Sequence, residues 1–126
     1  IFRVPNLEGR WKVKIQSSYE GEQDDNPDAS VRIKQDWDEM EVILEANQSY
    51  STSISATILV NETDPILQYD YRNEPKANTP DSLNIHYGTA RLRLSEDRKK
   101  LEGKYYTGPE RKNQGRIIFH KEINSI

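Results

Sequence analysis

No cysteine occurs in the 126 residues, which argues against a disulfide-stapled secreted scaffold and points to a reducing compartment. Apolar residues are scarce as well. Hydrophobic types make up 33% of the chain and mean hydropathy is -0.96, so the core must be thin and confined to part of the molecule. No apolar run approaches the roughly 18 residues of a membrane-crossing helix, and no signal peptide opens the chain. Histidine is limited to His86 and His120. They fall on opposite parities of different segments, match no metal-binding spacing, and have no serine positioned to complete a hydrolytic triad. These shortages call for no catalytic residue, no metal and no cofactor. Two N-x-S/T tripeptides, at Asn47 and Asn61, are what a Ser/Thr/Asn-rich chain supplies by chance.

Helical periodicity is missing too, and strict alternation takes its place. Trp11, Val13 and Ile15 alternate with Lys12, Lys14 and Gln16, and Val31, Ile33 and Trp37 with Arg32, Lys34 and Asp36. Met40, Val42, Leu44 and Ala46 share a face, with Ile43 on the other. From Tyr50 to Asn61, Thr52, Ile54, Ala56, Ile58 and Val60 stand opposite Ser51, Ser53, Ser55 and Thr57. Leu67, Tyr69 and Tyr71 follow, then Gly88, Ala90, Leu92 and Leu94, then Leu101, Gly103 and Tyr105, and last Gly115, Ile117 and Phe119. The pattern predicts an all-β chain of about eight strands in up-and-down antiparallel order. Closing them into a barrel, lipocalin- or avidin-like in outline, removes the exposed edges of a flat sheet. The expected organisation is one domain over residues 1–126, with 1–6 as a linker and 122–126 as a tail. Trp11, Ile15, Ile33, Leu44, Ile58, Leu92, Leu94, Ile117 and Phe119 are the predicted interior.

Connection lengths then give the barrel a mouth. If the first strand rises from Gly9, the long polar segments at 19–30, 47–49, 74–83 and 108–114 lie at the top, and the turns near 38–40, 61–65 and 95–99 close the bottom. Long loops of this kind are commonly functional. Net charge is -3, the wrong sign for binding a DNA or RNA polymer. Glu20, Glu22, Asp24, Asp25 and Asp28 concentrate the acidity in the first top loop, leaving the rest slightly positive. That loop lacks the glycine and terminal glutamate of an EF-hand, so it reads as a solvated acidic segment. Cations for the mouth are Arg72 and Lys76 on one side, and Arg111, Lys112 and Arg116 on another.

The candidate site is a set of aromatic and polar residues at the tops of strands: Tyr50 with Thr52, Tyr69 with Tyr71 and Asn73, His86, and Tyr105 with Thr107, near Arg111. Tyrosine rings offer stacking surface, while amides and hydroxyls can read base edges, so the set suits a planar polar ligand. A carrier of a small apolar ligand, a small hydrolase or isomerase, and a structural protein-interaction barrel stay open as other readings.

Longer motifs carry a resemblance. The chain reads L-E-G-R-W at its first strand, I-K-Q-D-W at the second, S-Y-S-T-S-I-S-A at the fourth, Y-D-Y-R-N-E-P at the fifth, H-Y-G-T-A-R-L-R-L at the sixth, and L-E-G-K-Y-Y-T-G with Q-G-R-I-I-F in the last pair. From Leu7 to Lys121 it resembles the cyclic-nucleotide-sensing β-barrel of the two-transmembrane CBASS effectors, the CD-NTase-associated protein fifteen family. The resemblance implies a non-catalytic sensor domain, cytoplasmic and anchored to a bacterial inner membrane. In that family a partner CD-NTase makes the cyclic dinucleotide, and the bound effector self-associates and disrupts the membrane. It implies Tyr69, Tyr71, Asn73, His86, Thr89, Tyr105, Thr107 and Arg111 as site positions, although the parity of Thr89 points it away from the lumen. The start at Ile1 without methionine fits an excised domain whose membrane segment lies upstream, beneath the barrel bottom.

Overall fold

The computed structural model describes residues 4–17, 29–46, 49–60, 64–75, 85–108 and 113–122. Eight antiparallel strands follow one another in order: β1 (Gly9–Ser17), β2 (Ser30–Gln35), β3 (Met40–Glu45), β4 (Ser49–Leu59), β5 (Ile66–Pro75), β6 (His86–Leu94), β7 (Lys100–Thr107) and β8 (Asn113–Lys121). Each pairs with the next, and β8 returns to β1, closing the barrel. The expected up-and-down barrel is therefore the fold.

The lower interior is a dry plug. Trp11, Ile33, Leu92, Leu101 and Phe119 are fully buried there, with Leu7, Val31, Val42, Leu67 and Leu94 around them. Ile15 and Ile58 pack against this cluster. Packing begins before β1. Leu7 N–H donates to Gln35 Oε1 at 2.7 Å, Gln35 Nε2 donates to the Pro5 carbonyl at 2.9 Å, and Trp11 Nε1–H donates to the Leu7 carbonyl at 3.0 Å. Pro5 and Leu7 are both buried, so the barrel floor reaches into the stretch before β1. Lys121 Nζ lies 5.5 Å from the centre of the Trp11 ring, within cation–π range.

Two apolar residues leave the interior that alternation assigned them. Trp37 is 97% exposed because β2 ends at Gln35 and the chain turns, with Asp36 N–H donating to the Glu39 carbonyl at 2.8 Å. Ile54 is 63% exposed because β4 carries a bulge. Ser53 pairs with Tyr71 and Ser55 with Asp70, so Ile54 is one residue too many for the ladder. Ser53 Oγ accepts the Val42 N–H at 2.8 Å beside the bulge. Ala56 and Ile58 face inward below that point as expected, whereas above it the inward residues are Ser49, Ser51 and Ser53. Sequence parity fails here because an inserted residue flips every side chain beyond it.

At the bottom, the β6–β7 turn is held by one carboxylate. Asp97 Oδ1 accepts the Ser95 hydroxyl at 2.6 Å and the Lys99 N–H at 3.0 Å, and Arg98 takes a left-handed φ of 61°. The Ser95 bond, then the Lys99 amide, holds the Asp97 carboxyl below its ordinary range. A depressed folded pKa stabilises above the unfolded value and loses that contribution as pH falls through the folded one. Asp97→Asn is accordingly expected to lower Tm at pH 7, with the gap to the parent shrinking below about pH 4. Melting curves between pH 2 and 7, on the order of one per pH unit, check this, and a gap independent of pH rejects it.

Candidate functional site

The upper lumen is built by rows of inward side chains that cross neighbouring strands. Tyr69 of β5 lies opposite Ala56 and Ala90, Ala90 lies opposite Tyr105 of β7, and Tyr105 lies opposite Gly115 of β8. One step higher come Ser53, Tyr71, Gly88 and Thr107, and above them Ser51, Asn73 and His86. Large and small residues thus alternate around the wall, which is how a narrow barrel accommodates rings. A methyl group at Gly88 would collide with the Tyr71 phenol and the Tyr106 carbonyl, and one at Gly115 with the Tyr105 ring and the Gln16 carbonyl. The two glycines are seats into which the tyrosines recess.

Recessing the rings leaves a cavity of about 160 Å³. Its walls intersperse apolar side chains, Ile15, Leu44, Ala90 and Ile117, with polar ones, Ser49, Ser51, Asn73, Thr107 and the three tyrosines Tyr69, Tyr71 and Tyr105. Tyr71 Oη and Thr107 Oγ1 share a hydrogen bond of 2.7 Å, and the rings of Tyr69 and Tyr71 sit 6.0 Å apart at 56°. Burial pushes the phenols of both Tyr69 and Tyr71 above the ordinary tyrosine range; for Tyr71 the Thr107 hydrogen bond opposes that shift. Both are therefore neutral groups that donate and accept at any physiological pH.

The sequence candidates separate into groups. Tyr69, Tyr71, Asn73, Tyr105 and Thr107 line one cavity. His86 shares the inward parity of Asn73, opposite which it pairs, but is exposed at the rim. Thr89 faces out, as its parity indicated, and donates to Asp70 Oδ1 at 2.8 Å. Tyr50 and Thr52 correct the expectation: both face outward, Thr52 opposite Ile43 and Arg72, and Tyr50 donating to Glu74 Oε2 at 2.6 Å. The β4 bulge is the cause, and Ser49 and Ser51 take the inner positions. Sequence reasoning missed these serines because nothing apolar between Ser49 and Ser53 marks the inner face.

The charged groups also stand differently from the sequence expectation. Arg72 faces outward with its Nε 2.7 Å from Glu74 Oε1, and Arg116 faces outward against Glu102. Neither points a charge into the mouth. Lys76, Arg111, Lys112 and the acidic positions between 20 and 28 lie outside the described residues. Two larger hollows, of about 600 and 760 Å³, are grooves on the outer wall lined by charges of both signs. Among the described residues no cluster of His, Asp or Glu could hold a metal ion, and no helix is long and apolar enough to cross a membrane.

A closed barrel, plugged below and holding above the plug a cavity of tyrosines, hydroxyls and an amide, has the build of a receptor for a small polar ligand. Comparison with known proteins narrows this. Residues 2–121 match the family described as Cap15, cyclic dinucleotide receptor domain, and the chain belongs to that family. A Yersinia aleksiciae protein named CD-NTase-associated protein 15 is 36% identical over 117 residues, covering 92% of this chain and 55% of that protein. A Staphylococcus schleiferi protein of the same name is 38% identical over 81 residues, covering 64% of this chain and 43% of that protein. The chain spans about half the length of these curated relatives.

Proposed function

We propose that this barrel is the non-catalytic sensor of a CBASS antiviral membrane effector. It binds a cyclic dinucleotide, made by a partner CD-NTase, at the open end of the lumen and releases it unchanged. The observation that carries this reading is the lumen cavity itself, where Tyr69, Tyr71 and Tyr105 converge with Asn73 and Thr107 above a sealed core. Aromatic faces stack bases and the neighbouring amide and hydroxyls pair with base edges. A purely apolar ligand suits the same cavity poorly, because it would strip water from buried hydroxyls without replacing the hydrogen bonds.

The phosphates need a cation. In sequence Arg111 falls between β7 and β8, beside Lys112, and a guanidinium can hold a phosphate through two parallel bonds. Binding then drives self-association and disruption of the inner membrane through a segment upstream of Ile1. An apolar span of about 20 residues in the upstream gene sequence supports that arrangement, and its absence removes it.

Calorimetry with a panel of cyclic dinucleotides tests the reading. One of them is expected to bind with one-to-one stoichiometry. Arg111→Ala should weaken it about tenfold and lower the salt slope by roughly one, whereas Tyr71→Phe, which keeps the ring, should weaken it several-fold at most. No heat with any member overturns the function, and unchanged binding by Arg111→Ala removes that residue from the site.

A further inference from the structure

Ser51 and Tyr69 are polar side chains of the cavity that are withdrawn from water, at 8% and 3% exposure. Neither hydroxyl has a hydrogen-bond partner among the described residues, although Tyr71, on the same wall, is bonded to Thr107. Buried polar groups are almost always paired, because each one left unpaired carries its full desolvation cost. Two orphan hydroxyls on adjacent strands, lining one cavity, therefore mark a place where polar atoms of a ligand complete the pairing.

Two further observations fix what enters. Every described residue lining the cavity is uncharged, and an ionised phosphate taken in among them would lose its hydration with no cation of theirs to offset the loss. The volume of about 160 Å³ is about half the lower end of the range for pockets enclosing whole drug-sized ligands, about 300 Å³. It holds one planar ring system, not a dinucleotide. Ile15, Leu44, Ala90 and Ile117 supply apolar contact, and Ser51 and Tyr69 supply the edge contacts.

We infer that one nucleobase of the ligand inserts into the lumen with its polar edge toward Ser51 and Tyr69, while both phosphates stay at the rim. These two hydroxyls then set base specificity. The inference rests on the cyclic dinucleotide reading above and deepens it. A hydroxyl both donates and accepts, so the pair discriminates by whether the base edge presents groups at those two positions.

The test uses this chain with four 3′,3′-linked cyclic dinucleotides, carrying two adenines, two guanines, two uracils, or adenine with guanine. Ser51→Ala and Tyr69→Phe are each expected to weaken the preferred compound roughly five- to tenfold and to reduce its advantage over the next best. Neither should lower the Tm of the ligand-free chain, since no hydrogen bond among the described residues is lost. Thr52→Ala, one residue along β4 but facing out, should change neither affinity nor preference. Unchanged affinity and preference in both lumen variants, with the parent still binding, overturns the inference and leaves the sensor reading standing. A parallel loss of Tm and affinity, with base preference intact, also overturns it by making the two residues structural. No binding by the parent chain removes the sensor reading and this inference together.

Discussion

Trp11→Ala is expected to cost the fold about 3–5 kcal/mol, the usual penalty for truncating a buried tryptophan. The indole is wholly inaccessible, its Nε1–H donates to the Leu7 carbonyl, and Lys121 lies over its face. Removing it opens a cavity in the plug, leaves the Leu7 carbonyl without its donor, and loosens the segment that Gln35 clamps beneath the barrel. Single-domain stability is about 5–15 kcal/mol, so this one change uses a large share of it. Thermal and urea melts should show Tm lower by more than about 10 °C. A fall below about 3 °C would mean that the plug is not where the stability resides.

Tyr105→Ala is expected to have the largest effect on ligand binding. Its ring is recessed over Gly115, directly across Ala90 from Tyr69, and forms one wall of the cavity. A base stacked on an aromatic gains about 1–3 kcal/mol, which corresponds to a loss of roughly 5- to 150-fold in affinity when the ring goes. Tyr105 is only partly buried, so the barrel should remain folded. Tyr50→Ala is the matched control, because its ring stands on the outer face against Glu74. Titrations of both variants should separate them by at least about fivefold. Equal affinities would place the ligand outside the lumen.

Much of this arrangement is legible in the sequence wherever alternation has an apolar marker. Trp11, Val13 and Ile15, or Leu92 and Leu94, fix their strand faces because a shift by one residue would expose them. The bottom half of the barrel follows from such positions. The upper half is written in serine, threonine, tyrosine and glycine, where parity has to be extended from below. That extension holds for Tyr69, Tyr71, Asn73, Tyr105 and Thr107, whose own strands carry no inserted residue. It fails for Tyr50 and Thr52 because the β4 bulge inverts the faces between Ile54 and the rim. A bulge leaves no mark in composition, and Ser51 looks like any outward serine until its neighbours Leu44 and Asn73 are known. The cations are a similar case. Arg72 and Arg116 stand near the mouth in sequence, yet odd and even positions decide whether a guanidinium meets the lumen or a glutamate on the outer wall.

Lumen and outer wall can be told apart directly by methyl NMR, since isoleucine and leucine lie on both. Ile15, Leu44 and Ile117 line the cavity, whereas Ile43 and Ile54 face outward. With a saturating cyclic dinucleotide, the barrel-receptor account predicts intermolecular NOEs from base protons to the methyls of Ile15, Leu44 and Ile117 and none to those of Ile43 or Ile54. NOEs confined to Ile43 or Ile54, or none to any methyl in a demonstrably saturated complex, would contradict it.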